Sequence, residues 1–256
     1  MTRLNKYLAE CGVCSRREAD KLIDQGRVRV NAQKAVSGMQ VSAQDVIEVS
    51  GKKVKPASAK VVLAYHKPVG ITCTEKDRHA EKTIVEAVKY PVRLTYAGRL
   101  DKESDGLMIM TNDGELIQRM MKGANRHEKE YVVKVNREIT DEFLSGMANG
   151  VWLKDLGETT RPCKLERIGK YTFKIILTQG LNRQIRRMCE SFGYQVKSLT
   201  RVRVMNIELA GLNSGAYREV KGEELSTLYS LCGMEKNAGQ TDSSQKGYSG
   251  GNNGSK

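Results

Sequence analysis

Aromatic residues are scarce in this chain: one Trp, three Phe and ten Tyr make up 5% of its 256 residues. So low a share argues against a protein that holds long single strands by stacking successive bases. Long apolar runs are missing too. The longest cover four or five residues, as at 61–65 and 107–110, whereas a membrane-crossing helix needs about 20. With a mean hydropathy of −0.51, the expectation is a soluble protein that does not enter a membrane. Met1, Thr2 and Arg3 lead into a charged, amphipathic stretch rather than an apolar signal core, so a cytoplasmic location is expected. Metal-binding patterns are lacking as well. Of six scattered cysteines only Cys11 and Cys14 stand close together, and no second pair or His cluster completes a tetrahedral zinc site. Free thiols are the default, with Cys11 a small core residue of the first helix. No internal repeat or long heptad pattern is present, and a monomer is the simplest expectation.

What the chain does have is positive charge. Forty-three Lys and Arg stand against 30 Asp and Glu, for a formal net charge of +13. The length allows one or two domains. The excess points to a polyanionic partner, nucleic acid or an acidic membrane surface; solubility alone is the plainer reading. No basic amphipathic helix carries a bulky apolar face, which disfavours the membrane surface.

Leu4, Tyr7, Leu8 and Cys11 fall at i, i+3, i+4 and i+7, the stripe of an amphipathic helix that Gly12 closes. Ser15 and Glu18 then read as the N-cap and N3 positions of a capping box. The helix they start buries Ala19, Leu22 and Ile23 and stops at Gly26. Val28 and Val30 alternate with Arg27 and Arg29 in a half-buried strand, and further strands are expected around 40–41 and 46–49. Residues 1–60 hold 12 Lys and Arg against 6 Asp and Glu, a net of +6. Arg17 and Lys21 share a helix face with Arg16 beside them, a patch suited to phosphate that Asp20 and Asp24 partly offset. A domain over 1–55 is expected, then a linker over 56–60 lacking periodicity. A larger domain over 61–234 follows, and a tail over 235–256 without an apolar anchor is expected to be disordered. Helices and strands of the larger domain lack a regular βαβ rhythm. That favours an α+β class with a mixed, mainly antiparallel sheet.

Four segments of the larger domain combine special backbone residues with reactive side chains. Tyr65-His66-Lys67-Pro68-Val69-Gly70 is a strand end broken by a turn. Residues 97–107 form a glycine-punctuated loop that presents Asp101 at a sheet edge; by itself such an aspartate is more often a turn former or cap. Asp113 behind it is such a case, capping a helix over 115–121. His127-Glu128-Lys129-Glu130-Tyr131 enters a strand with Tyr131, Val133 and Val135 on one face. Tyr131 there is either a core aromatic or a stacking platform for a base. Residues 178–188 run from a strand through Gly180 into a helix with Asn182 as its expected cap. Ile185, Met188, Cys189 and Phe192 form that helix's buried stripe, and Arg183, Arg186 and Arg187 project from its other faces. A basic helix start of this kind also binds phosphate without catalysis.

Three of these runs carry a family resemblance. Gly-Arg-Leu-Asp-x-x-Ser-x-Gly-Leu at 98–107, Lys-x-Tyr at 129–131 and Gly-x-Asn-Arg-Gln-Ile-Arg-Arg-Met at 180–188 resemble the RsuA/RluB/RluE/RluF family of ribosomal RNA pseudouridine synthases. His127-Glu128-Lys129-Glu130-Tyr131 and the run at 180–188 look closest to the family's RluF branch. Arg3-Leu4-Asn5-Lys6, Ser15-Arg16-Arg17 and Val28-x-Val30-Asn31 are similar to an S4 RNA-binding domain. The resemblance covers residues 3 to about 233. One departure is His66, where the family commonly has Asn before Lys-Pro-x-Gly.

The resemblance implies an isomerase that needs no metal, nucleotide or redox cofactor. It breaks the uridine N1–C1′ bond, turns the base and rejoins it through C5. Asp101 is then the essential carboxylate, by attack on C1′, by attack on C6 or by abstraction of a sugar proton. Such a carboxylate must be ionised, which a neighbouring guanidinium favours; Arg186 matches that partner. Tyr131 would stack on the detached base and Ile185 would help wall the pocket. Arg99, Arg183 and Arg187 would bind substrate, and Arg3, Lys6, Ser15, Arg16, Arg17, Lys21 and Arg27 would meet RNA backbone. The implied partner is large-subunit ribosomal RNA, with transfer RNA as a possible second substrate. The alternative is a non-catalytic S4-type RNA-binding or ribosome-assembly protein on the same scaffold.

Overall fold

A computed structural model describes residues 1–55, 59–74 and 82–234. Residues 56–58 of the expected linker and the whole expected tail lie outside the described residues.

The first residues pair as β1 (Thr2–Arg3) with β4 (Gln40–Val41), and α1 (Leu4–Glu10) follows directly. Leu4 and Leu8 are buried, and Gly12 ends the turn with φ +74°. In α2 (Arg16–Asp24) the Ser15 hydroxyl accepts from the Glu18 amide at 3.2 Å, the cap that the Ser-x-x-Glu spacing predicts. A four-stranded sheet completes this unit in the order β3 (Gln33–Lys34), β2 (Val28–Val30), β5 (Ile47–Val49), β6 (Lys52–Lys53). Val28 and Val30 are buried and Arg29 between them is exposed, so the strand turns its basic side to solvent as expected. The core holds Cys14, not Cys11. Because α1 stops at Glu10, Cys11 falls at its C-cap and is only half-buried. All six cysteines are free thiols.

The second unit is built on one nine-stranded sheet. Its strands are β7 (Val62–Lys67), β8 (Thr95–Ala97), β9 (Asp105–Thr111), β10 (Lys129–Val135), β13 (Lys164–Gly169), β14 (Thr172–Leu177), β15 (Val196–Val204), β16 (Ile207–Glu208) and β17 (Tyr217–Glu219). A separate hairpin joins β11 (Trp152–Leu153) to β12 (Glu158–Thr159). The main path runs β13-β14-β10-β15-β9-β7-β17, with β16 beside β15 and β8 beside β9. Every pairing is antiparallel except β9 with β15. The sheet is therefore mixed and mainly antiparallel, and the architecture α+β.

Both faces are covered, which explains why residues 107–110 read as an unbroken apolar run rather than an alternation. One face carries Tyr65, Met108, Val133, Ile175 and Leu177 under α3 (Ile84–Ala87), α5 (Asp141–Ala148) and α6 (Gln184–Ser191). The other carries Ala64, Leu107, Ile109 and Val204 under α4 (Gly114–Met121) and α7 (Gly222–Leu231). Asp113 caps α4 by accepting from the Glu115 and Leu116 amides, as its sequence position predicts.

The parallel contact has a steric requirement. Thr200 pairs with Asp105 and Arg201 with Gly106. At Gly106 the backbone takes φ +115°, and a Cβ there would meet the Arg201 backbone N and O at 2.4 Å each. No side chain fits this approach.

Candidate active site

Residues 98–104 link β8 to β9 and carry Asp101. Leu100 is buried in the core, and its amide donates to the Cys73 sulfur at 3.4 Å. The Gly70 amide donates to the Lys102 carbonyl at 2.8 Å, and the Ser104 amide to the Asp101 carbonyl at 3.1 Å. The loop is thus tied to the Lys67-Pro68-Val69-Gly70 turn. Lys67 is fully buried, and its ammonium closes that turn by donating to the Pro68 and Ile71 carbonyls at 2.8 and 3.0 Å. Burial holds its pKa below the usual lysine range. His66, on the next position of the strand, turns away. Its Nδ1 donates to the Leu212 carbonyl at 2.7 Å and its Nε2 lies 3.4 Å from the Asp105 carboxylate.

Helix α6 closes the site from the other side. Arg186 donates to the Ser104 hydroxyl at 3.1 Å and the Glu103 carbonyl at 3.3 Å. Its Nε sits 3.8 Å from an Asp101 carboxylate oxygen. That Nε is buried and has no hydrogen-bond partner. Asp101 is 34% exposed while Arg186 is only 11% exposed, so the carboxylate faces solvent with the cation packed behind it. Arg183 lies 3.9 Å from Asp101 but pairs more closely with Glu103, at 2.7 Å. This hydrogen bond keeps the Glu103 carboxyl below the usual carboxylate range.

Helix α6 starts later than its sequence suggests. Its N-cap position is Arg183, in the left-handed region at φ +51°, and not Asn182. Asn182 instead offers its carbonyl to Arg187 Nε at 3.1 Å. Ile185, Met188 and Cys189 form the buried stripe, but Phe192 falls past the last helical turn and is 37% exposed.

Tyr131 lies half-buried on β10, opposite Arg201 of β15 and Ile175 of β14. The structure brings Asp101, Arg183 and Arg186 together and puts Ile185 into the core behind them. It does not bring Arg187 to this cluster; that side chain pairs with Asp155 at 2.5 Å. Arg99 is exposed, and its carbonyl accepts from Arg201 at 3.4 Å. In the N-terminal unit Arg3, Arg16, Arg17, Lys21 and Arg27 are exposed. Lys6 pairs with Glu10 at 3.7 Å, and the Ser15 hydroxyl is engaged as a helix cap.

Sequence reasoning gave no site role to three cations of the sheet face that carries Tyr131, Lys67, Lys129 and Arg201, although the first two stand in the runs at 65–70 and 129–131. The first two sit where alternation places an apolar side chain, in register with Tyr65 and Tyr131. A lysine on the apolar register of a strand was the available signal. Among the described residues no group of three or more His, Cys, Asp or Glu side chains is placed to hold a metal ion, and no helix is long and apolar enough to cross a membrane.

A mixed sheet whose inter-strand loop carries a guanidinium-backed aspartate, preceded by a small basic unit, is the arrangement expected of an RNA pseudouridine synthase with an S4 domain. The chain belongs to that family: the family model for RNA pseudouridylate synthases matches residues 61–191 and that for S4 domains residues 2–47. Over 232 residues it is 47% identical to the dual-specificity RNA pseudouridine synthase RluF of Salmonella typhi, covering 90% of this chain and 79% of the relative. Over 246 residues it is 37% identical to the ribosomal large subunit pseudouridine synthase B of Bacillus subtilis, covering 93% and 100%. A solved pseudouridylate synthase structure superposes with a TM-score of 0.65 at 28% identity, covering 90% of this chain and all of the other.

Proposed function

We propose that this enzyme isomerises a specific uridine of large-subunit ribosomal RNA to pseudouridine, acting as a cytoplasmic monomer with Asp101 as the catalytic carboxylate. One observation carries the reading: the exposed Asp101 carboxylate is backed by the nearly buried Arg186 guanidinium at 3.8 Å. A carboxylate so placed is open to a sugar or base, and the cation behind balances its charge and fixes its direction. Tyr131 supplies a flat surface for the base while it is detached. The target leaves its stack to reach the pocket, at a cost of a few kcal/mol. Basic side chains around the loop and on the N-terminal helices offset that cost by holding the phosphates, in a recognition that relies on shape and backbone.

The reaction replaces the hydrogen at C5 of the base, so RNA labelled with tritium at uridine C5 reports it. The full chain should release tritium from ribosomal RNA or its fragments. No release at any stage of ribosome assembly would leave the non-catalytic RNA-binding alternative. Asp101→Asn should abolish release and keep RNA affinity within about threefold, since it removes a charge without changing shape. An active variant would refute the assigned role. The Salmonella typhi relative is named as dual-specificity, which favours a second RNA as substrate, and transfer RNA forms a second arm of the same assay.

A further inference from the structure

Five cations, Lys67, Lys129, Arg183, Arg186 and Arg201, stand on the sheet face of Tyr131 and at the start of α6, and four of them donate to protein acceptors, Arg183 to Glu103 at 2.7 Å. Lys67 donates to two carbonyls, and Arg186 to Ser104 and Glu103. Arg201, 2% exposed, donates to the Leu107 carbonyl at 2.7 Å, the Arg99 carbonyl at 3.4 Å and the Met108 sulfur at 2.7 Å. Lys129 is the exception. Among the described residues its ammonium has neither a hydrogen-bond acceptor nor an ion-pair partner.

Strand register fixes where this lysine stands. Lys129 and Tyr131 are two residues apart on β10, opposite Leu177 and Ile175 of β14, both buried in the core of this face. Lys129 therefore shares the face of Tyr131 and lies partly buried near Arg201. Two acids flank it in sequence, yet both are engaged elsewhere. Glu128 and Glu130 hold Arg203 at 3.0 and 2.8 Å, and alternation turns Glu130 to the opposite face. Burial first, and then the Arg201 charge, keep the Lys129 ammonium below the usual lysine pKa. An unpaired ammonium in such a place costs free energy unless something else supplies the acceptor.

We propose that Lys129 is a catalytic residue whose ammonium donates a hydrogen bond to a carbonyl oxygen, O2 or O4, of the uracil lying against Tyr131. The inference rests on the pseudouridylation reading above. When the N1–C1′ bond breaks, its electron pair stays with the base and spreads onto O2 and O4. The lysine keeps its proton and stabilises that charge, most strongly when it is largest. C5 then joins C1′ using the base's electron pair, the C5 proton leaves to water and N1, freed from C1′, takes a proton from water, so the isomerisation is balanced without any co-reactant.

The test pairs two variants, Lys129→Met and Lys129→Gln, with RNA carrying uridine, 2-thiouridine or 4-thiouridine at the target. Sulfur is the weaker acceptor. The single-turnover rate of tritium release should fall about 10²-fold in each variant on the uridine substrate, as for loss of one positioned donor. Thermal midpoints should hold in Lys129→Met, because the ammonium makes no hydrogen bond or ion pair that the variant would lose. In the unsubstituted enzyme one thio substrate should react about tenfold slower than uridine, and that penalty should vanish in both variants. Rates within about threefold of the unsubstituted enzyme overturn the proposal. So do thio penalties that persist unchanged, or a rate loss matched by a fall in the thermal midpoint. An unsubstituted enzyme that releases no tritium from any RNA refutes the pseudouridylation reading itself, a separate outcome.

Discussion

Replacing Gly106 by Ala tests the steric basis of the site. The new methyl would stand 2.4 Å from both the N and O of Arg201 and 2.9 Å from its carbonyl carbon, all backbone atoms of the neighbouring strand. No side-chain rotation relieves such a contact. The φ of +115° adds a conformational penalty of about 1–3 kcal/mol, and forcing the strands apart adds about 1–3 kcal/mol more. The sum is about 2–6 kcal/mol. Two glycines of the same unit grade the effect. Gly211 has φ +74° but open space around its Cβ direction, so Gly211→Ala should cost about 1 kcal/mol. Gly123 has neither a positive φ nor a neighbour within 4 Å, so Gly123→Ala should stay within about 0.5 kcal/mol. Urea unfolding reads the series: for slopes of a few kcal/mol per molar, Gly106→Ala should lower the midpoint by about 1–2 M. Tritium release under native conditions should also fall, since moving Arg201 withdraws its hydrogen bond from the Arg99 carbonyl in the loop that carries Asp101. A midpoint shift no larger than that of Gly211→Ala would refute the argument from backbone contact.

Two further predictions concern charge. Exchanging Arg16, Arg17 and Lys21 together for Gln should reduce the slope of log affinity against log salt by about 2 for ribosomal RNA, at about 0.7–0.9 per phosphate contact; an unchanged slope would remove these helix residues from the RNA interface. Asp113, 2% exposed, accepts from the Tyr229 hydroxyl at 2.8 Å and pairs with Lys60 at 2.9 Å. Burial works to raise its pKa, but Lys60, Tyr229 and the Leu116 amide outweigh it and hold the carboxyl below the usual range. Its folded pKa lies below its unfolded one. The stability it adds is therefore complete above about pH 4 and lost as pH falls through the lowered value. Asp113→Asn should flatten the dependence of the thermal midpoint on pH between about 5 and 2; an unflattened acid limb would contradict this.

Local patterns with short-range causes were legible in the sequence. Ser15 and Asp113 are caps because hydroxyl and carboxylate acceptors serve helix amides wherever they stand, and the Val28/Val30 alternation reports a face without reference to the fold. The carboxylate and its guanidinium partner were legible through the family motifs at 98–107 and 180–188. Long-range placements were not. Nothing near Asn182 announces that Arg183 takes the left-handed position, because the helix is started by where α6 docks rather than by its own cap. The role of Arg201 depends on carbonyls brought in by tertiary packing, those of Leu107 and Arg99. Arg187 looks equivalent to Arg186 in sequence, and only the position of Asp155 in the β11–β12 hairpin takes it out of the cluster.

The parallel join between β9 and β15 also sets an order of events during synthesis. Thr200 bonds Asp105 across 95 residues of chain, and Arg201 reaches back to Arg99 from the same strand. The segment bearing Asp101 leaves the ribosome long before the strand that seats it. A nascent chain that has not yet emitted residue 201 holds every atom of the loop but not its support, and contacts of such separation form late and slowly. The support of the loop is complete only once β15 has been made, and chains truncated before β15 would carry the Asp101 motif without these contacts.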